Sequence, residues 1–321
     1  MNQTVSTIAV RVVRKRVEAK DICSIELADA RGDILPAFSA GSHIDVHLPG
    51  GLVRQYSLCN HPGERYHYRI GVLRDPNSRG GSMAVHDLVE QGDILHISAP
   101  RNHFQLASAE RYLMFAGGIG VTPILCMTEV LSRSDSDFTF HYYGRSADRM
   151  AFAGHITASA FRDRVRFHLD DETGKPRPAL EKVFAHESHG THLYVCGPTG
   201  FINWIVDAAK AAGWTQERIH YEYFSPPVAA PNAECFEIEL ARSGGIFTVP
   251  AEKSVVAVLR ENGIDLPVSC EAGVCGTCLT RVLAGDPDHR DVYLTDEEHV
   301  RNDRFTPCCS RSLSRRLVLD L

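Results

Sequence analysis

Three cysteines, Cys270, Cys275 and Cys278, stand in the spacing C-x4-C-x2-C within the run Cys270-Glu271-Ala272-Gly273-Val274-Cys275-Gly276-Thr277-Cys278, and Cys308 and Cys309 follow about thirty residues later. Four thiolates at this spacing hold a [2Fe–2S] cluster, three from one tight loop and one from a distant segment. Gly273 and Gly276 let the loop turn through positive φ and bring backbone N–H groups to the sulfurs, where they stabilise the charge gained on reduction. Structural zinc is the competing reading, but zinc sites supply cysteines as two short pairs, and the second C-x2-C is missing. A disulfide framework is disfavoured in a chain of this size without an export signal. Neighbouring residues of extended chain point to opposite sides, so one of Cys308 and Cys309 faces the iron, and spacing alone does not choose between them. The chemistry is one-electron transfer. Such a carrier cannot take hydride from a nicotinamide, so a two-electron acceptor that releases electrons singly is needed upstream, and the organic device for that is a flavin.

The elements that position these groups form three textures. Residues 1–104 read as all-β, with short apolar or alternating runs at 8–17, 22–27, 43–48, 53–58, 66–72 and 94–98 separated by Gly/Pro/Asp turns; this suggests a barrel or sandwich. A helix over 82–88 follows Arg79-Gly80-Gly81, and glycines opening a helix make an anion site. From about Leu106 strands and helices alternate. A strand over 111–116 leads into Gly117-Gly118-Ile119-Gly120-Val121-Thr122-Pro123 and a helix to about Leu131, with Thr122 as N-cap and Pro123 at the first helical position. Further strands at 138–143, 165–169, 192–196 and 219–223 alternate with helices at 147–158, 179–185 and 201–212, a βαβ pattern with a parallel sheet. The proline-rich stretch 225–232 is an extended, semi-rigid linker. Beyond it, a hairpin over 236–249 precedes a helix capped by Ser254 and stopped by Gly263, with Val255, Val258 and Leu259 facing inward. The expected divisions are a flavin-binding β-barrel (1–104), an α/β nucleotide domain (105–225), a linker (226–233) and an iron–sulfur domain (234–321), together a multidomain α+β protein.

Composition narrows the function. Hydrophobic residues make up 44% and charged residues 23% of the 321, ordinary values for a soluble globular chain. The first seventeen residues carry Arg11, Arg14, Lys15 and Arg16 without an apolar core, so no secretory signal is expected, and the longest apolar stretch is too short and too broken to span a bilayer. From Glu234 onward ten Lys/Arg face fifteen Asp/Glu; an acidic domain argues against nucleic-acid binding and is compatible with docking to a basic protein or with a merely solvated surface. Ten cysteines without an export signal fit a reducing cytoplasm. His186-Glu187-Ser188-His189 is one residue short of a zinc-protease motif and reads as surface, as does the acidic Asp170-Asp171-Glu172.

Two motif sets carry a family resemblance. Arg54-Gln55-Tyr56-Ser57, followed by Arg79-Gly80-Gly81-Ser82, resembles the flavin site of the ferredoxin–NADP reductase superfamily, and Gly117-Gly118-Ile119-Gly120-Val121-Thr122-Pro123 with Cys196-Gly197-Pro198 resembles its nicotinamide site, although the loop fails as G-x-G-x-x-G. The C-terminal segment resembles the β-grasp fold of plant-type ferredoxins. This domain order is similar to that of the phthalate dioxygenase reductase family over nearly the full chain. The resemblance implies FMN, NADH and a [2Fe–2S] cluster, with electrons passed to a terminal oxygenase, typically a Rieske non-haem iron enzyme acting on an aromatic or small organic substrate. It implies that Arg54 meets the flavin phosphate, Tyr56 packs on the ring, Ser57 lies near the hydride-accepting atom, and Val72 joins the flavin contacts. Arg79, Gly80, Gly81 and Ser82 would cradle phosphate. Gly117, Gly118, Gly120 and Thr122 would meet the nucleotide, with Cys196, Gly197 and Pro198 at the nicotinamide and Phe224 closing toward the flavin. Arg145 and Ser146 follow the second strand, where a 2′-phosphate would be recognised; the resemblance nevertheless selects NADH. It also selects Cys308 as the fourth cluster ligand, since Cys308-Cys309-Ser310-Arg311 matches a ferredoxin segment with one variable residue after the ligand. No general acid or base is expected, because the cofactors carry the reaction. The expected protein is a cytoplasmic monomer. Two alternatives stand beside it: a reductase of the same build for another acceptor, such as a di-iron monooxygenase, and a non-enzymatic, zinc-stabilised binding module, which would be colourless.

Overall fold

The computed structural model describes residues 7–76, 80–170, 179–185, 187, 189–224 and 234–321. Arg79, the expected linker 226–233, Asp171, Glu172, His186 and Ser188 lie outside these residues. The chain divides into two compact units, residues 1–222 and 223–321.

The first unit holds two sheets. Strands β1 (Ile8–Ala19), β2 (Ile22–Asp29), β3 (Ser42–Leu48), β4 (Leu52–Ser57), β5 (Tyr68–Leu73), β6 (Ile94–Ile97) and β7 (Arg101–Asn102), with helix α1 (Gly81–Leu88) between β5 and β6, form a seven-stranded sheet ordered β4-β3-β6-β1-β2-β5, with β7 on β3. Its pairings are antiparallel, and a bridge from Leu58 to Ile70 brings the chain after β4 back to β5. The alternation in sequence is the alternation in space along β1: Val10 and Val12 point into the core with Ile25 and Leu27 of β2, while Arg11 and Val13 face out.

The second sheet is the parallel one. Strands β8 (Arg111–Gly117), β9 (Asp137–Gly144), β10 (Val165–Leu169), β11 (Thr191–Gly197) and β12 (Ile219–Tyr223) lie in the order β10-β9-β8-β11-β12, interleaved with α2 (Val121–Arg133), α3 (Ala153–Ala158), α4 (Leu180–Phe184) and α5 (Thr199–Ala211). Two expectations change here. Thr122 is not an N-cap: a 3-10 turn over Gly118–Gly120 feeds straight into α2, Gly120 is the cap residue, and the Thr122 hydroxyl donates to Ile119 O at 3.1 Å from inside the first turn. The helix expected over 147–158 is broken into a 3-10 turn (Ala147–Arg149) and α3, because Phe152 adopts φ 60° to bury its ring and Met150 is drawn under Gly144. Tertiary packing overrides local propensity there.

In the second unit, β13 (Phe236–Leu240), β14 (Ile246–Val249), β15 (Thr280–Ala284), β17 (Arg304–Phe305) and β19 (Arg316–Leu319) order as β14-β13-β19-β15-β17, with α6 (Val255–Glu261) and α7 (Asp296–Arg301), and β16 (Pro287–Asp288) pairs with β18 (Arg311–Ser312). The hairpin β13–β14 is antiparallel while β13–β19 is parallel. Ser254 caps α6 by accepting from Ala257 N at 3.1 Å, and Val255, Val258 and Leu259 are buried against the sheet; each such side chain stabilises by about 1.5–3 kcal/mol. The cluster loop leaves α6 and enters β15. Among the described residues, no helix is long and apolar enough to cross a membrane.

Candidate functional site

The site residues of the first unit gather where strands end. On β4, Arg54 and Tyr56 share one face, and Ser57 closes the strand opposite His43. Helix α1 begins beside Arg54: Gly80, at φ 83°, turns the chain, and a Cβ on Gly81 would lie 2.4 Å from Arg54 Cγ. Among the described residues, the cap residue Gly80 has no side chain to cap α1, and the Arg54 side chain lies against Gly81; helix N–H groups and a guanidinium are donors that fit a phosphate. Ser82 Oγ accepts from Asp75 N at 3.2 Å and holds the segment before the helix against its first turn. Tyr56 packs against the barrel core, and burial pushes its phenol well above the ordinary range, so it stays neutral. The Val72 side chain is in the barrel core, and its carbonyl lies 3.0 Å from His86 Nε2.

The nucleotide side is built at the C-terminal ends of β8 and β11, the usual ligand crevice of a parallel sheet. A Cβ at Gly120 would lie 2.3 Å from Cys196 O, so the glycine turn presses directly on the end of β11. Gly117 and Gly197 are equally close beneath the Phe201 ring, while Gly118, at φ 54°, faces open space. Pro198 is the cap residue of α5. Thr122 packs toward the barrel: a Cβ on Gly71 of β5 would be 2.8 Å from its methyl group. Arg145 is exposed after β9, whereas Ser146 donates a short hydrogen bond to Asp148. Phe224, partly buried, follows β12 in the second unit.

One buried acid beside the expected site residues has no counterpart in the sequence analysis. Glu222, on β12, places its carboxyl against the Ser57 hydroxyl and beside Cys196. Its Oε2 is buried without a hydrogen-bond partner, and burial lifts the carboxyl to about 8, with the Ser57 hydrogen bond pulling the other way. The same burial, reinforced by Glu222, raises the Cys196 thiol. Hydroxyl, thiol and carboxylic acid therefore form an uncharged polar set near neutral pH, placed between the flavin-side and nicotinamide-side motifs. A signal existed in the sequence: Glu222 is an acid on the same strand face as His220, at the crevice end of the last parallel strand.

In the second unit, the four cysteines expected to bind iron converge. Cys270, Cys275, Cys278 and Cys308 are 5–8% exposed, and their thiols lie within hydrogen-bonding reach, Cys270 with Cys275 and Cys308, Cys308 with Cys278. Gly273 and Gly276 adopt φ 69° and 67°. Ala272 N points at Cys270 Sγ (3.3 Å) and Thr277 N at Cys275 Sγ (3.4 Å); the Cys275 and Cys308 thiols, with the Ala272 and Val274 N–H groups, pull the Cys270 thiol down. The Cys309 thiol is also within hydrogen-bonding reach of the Cys308 thiol; its Sγ lies 3.2 Å from Thr306 Oγ1, and a Cβ on Gly273 would fall 2.4 Å from it. Four buried, converging thiols with amide donors fit a [2Fe–2S] core.

The geometry defines an electron-transfer oxidoreductase that joins a flavin and pyridine-nucleotide module to an iron–sulfur domain. Comparisons with known proteins agree. The family described as "2Fe-2S iron-sulfur cluster binding domain" matches residues 238–313, and that described as "Dimethylamine monooxygenase subunit DmmA-like, N-terminal domain" matches residues 100–219. The chain is 51% identical over 319 residues to vanillate O-demethylase oxidoreductase of Pseudomonas sp. (strain HR199 / DSM 7063), covering 98% of this chain and 100% of that one. It is 40% identical over 315 residues to the phthalate 4,5-dioxygenase oxygenase reductase subunit of Pseudomonas putida, covering 97% and 96%. The solved structure of phthalate dioxygenase reductase, described as modular for electron transfer from pyridine nucleotides to [2Fe–2S], matches with TM-score 0.81 at 36% identity over 98% of both chains. The chain belongs to this family of vanillate O-demethylase oxidoreductases and phthalate dioxygenase reductases, and it is a flavin- and [2Fe–2S]-dependent reductase of the kind that serves oxygenases.

Proposed function

We propose that this reductase takes hydride from NADH, uses FMN as its flavin, and delivers single electrons through a cluster on Cys270, Cys275, Cys278 and Cys308 to a Rieske-type oxygenase. The observation that carries the reading is the pairing, in one chain, of a Gly80-led α1 beside Arg54 with four convergent thiols. When bound, the flavin accepts an electron pair as hydride and returns the electrons one at a time. The chain's own residues bind and orient. Arg54 and the first turn of α1 hold the phosphate, with Arg79 as an expected further donor, and Tyr56 supplies the stacking face. The glycine turn 117–120 admits the nucleotide backbone. Ser57, Cys196 and Glu222 would present neutral polar groups to the bound rings, so that the chain would add no fixed charge there. NADH is favoured over NADPH because the Ser146 hydroxyl is committed to Asp148, whose carboxylate would repel a 2′-phosphate.

The domain limits that fit this reading are 1–104, 105–225 and 234–321, and the acidic last domain suits docking on a basic face of the oxygenase. The partner is an O-demethylating oxygenase for a methoxylated aromatic acid, because identity to vanillate O-demethylase oxidoreductases is 51–53% against 40% for the phthalate enzyme's reductase. The test is reconstitution of the purified reductase with vanillate demethylase oxygenase and, separately, phthalate dioxygenase. Vanillate-dependent NADH oxidation with formaldehyde release is expected; equal or better coupling to phthalate turnover would overturn the assignment.

A further inference from the structure

We propose that His289, Asp291 and His299 form a second metal site, separate from the four cysteines, that takes a divalent ion of the zinc class. The ligand atoms of these three residues all lie within 4.8 Å of one another. His289 is the informative member. Its side chain is 9% exposed, and its Nε2 lies 3.0 Å from Asn302 Oδ1. With that carbonyl as acceptor, Nε2 carries the proton and Nδ1 presents a lone pair. This Nδ1 is buried and has no hydrogen-bond partner, yet it faces Asp291 Oδ1 at 3.8 Å. Two acceptors then confront each other across a gap too long for a hydrogen bond. The gap suits two ligands on one ion at about 2.0–2.2 Å each.

The remaining geometry agrees. His299 Nε2 is within hydrogen-bond distance, 3.4 Å, of Asp291 Oδ2, the other oxygen of the same carboxylate. The two rings stack at 4.4 Å between centroids. Asp291 is fully buried and oriented by Leu294 N (2.8 Å), Tyr293 N (3.2 Å) and Ser310 Oγ (3.3 Å). A ligating histidine whose other nitrogen donates to a fixed carbonyl, and a carboxylate held by N–H and O–H donors, are the supporting contacts that built metal sites show. The paired histidines of the first unit differ: His141–His168 and His192–His220 bond to each other at 3.0 and 2.9 Å and leave no such opposed acceptors. Two imidazoles and one carboxylate match zinc better than calcium or magnesium. The site lies on the segment covering the cluster loop, where Val292 N donates to Gly273 O at 3.1 Å, so the ion clasps that segment in place.

The test titrates zinc chloride, in competition with a chromophoric chelator, into purified reductase carrying its flavin and cluster. One zinc per chain is expected, with an X-ray absorption first shell of nitrogen and oxygen only. His289→Ala and His299→Ala should each weaken binding at least about tenfold, and Asn302→Ala by about 10–100-fold. Cluster absorbance and flavin reduction by NADH should remain unchanged in His299→Ala, and saturating zinc should raise the melting temperature of the wild type but not of this variant. His299 is on the surface helix α7, so it decides the matter if His289→Ala fails to fold. Failure to bind stoichiometric zinc, unchanged affinity in His299→Ala, or sulfur in the zinc shell would overturn the proposal. So would a doubly protonated His289 at pH 7.5 by nitrogen NMR, which would put a proton where we place the ion.

Discussion

Replacing Glu222 by Gln tests the reading of the hydride site most directly. Burial lifts this carboxyl from 4.5 to about 8, and a tenfold difference in proton affinity is worth about 1.4 kcal/mol. Below pH 4.5 folded and unfolded chains are both protonated there, and the acid costs nothing. Between pH 4.5 and 8 the unfolded chain ionises while the folded one keeps its proton, so stability falls as pH rises. Above pH 8 the loss is complete. The ceiling is about 5 kcal/mol; the residue is only partly buried as a whole, so about 1–3 kcal/mol is the expected size, the ordinary penalty for a buried unpaired polar group. Glu222→Gln keeps the shape and the carbonyl that accepts from Ser57 but cannot ionise. Urea unfolding of the first unit, followed by flavin release, should therefore show wild type and variant nearly equal at pH 5 and the variant more stable by that amount at pH 9. A difference that is flat with pH would mean an ordinary, solvated carboxylate and refute the argument. A wild type that gains on the variant as pH rises would refute its sign.

The cysteine register is tested by a pair of variants: Cys308→Ser should lose or badly weaken the cluster spectrum while flavin reduction by NADH survives, and Cys309→Ser should keep the cluster and cytochrome c reduction. The reverse pattern would shift the fourth ligand by one residue. Arg54→Ala should release flavin on dilution with the cluster retained, since few side chains replace a charge-assisted arginine–phosphate contact, and the flavin freed by heat should chromatograph as FMN; recovered FAD would contradict the site. Comparison of kcat/KM should favour NADH, and Asp148→Ala should narrow the gap to NADPH by removing the carboxylate beside Ser146; a wild type that prefers NADPH would show that Arg145 dominates.

Much of this protein was legible in the chain itself, for local reasons. Cluster ligation depends on three cysteines in one nine-residue loop, and two glycines at the turns, so spacing alone exposes it. The β-barrel and the parallel sheet follow from the period of the apolar residues, and the Ser254 cap and Gly263 stop are one-residue signals that need no tertiary partner. What the sequence left open depends on side chains brought together from far apart. Cys308 and Cys309 are chemically equal neighbours whose thiols lie within hydrogen-bonding reach of each other, and the choice between them belongs to the cysteine variants above. Thr122 has the chemistry of an N-cap, yet the glycine turn enters the helix without a break and turns it toward Gly71 instead. Ser57, Cys196 and Glu222 come from three different strands, and burial where they meet lifts the Glu222 carboxyl to about 8 against the Ser57 hydrogen bond. Proton affinity is a property of that enclosed place, made by desolvation and neighbours, and tertiary structure alone decides it.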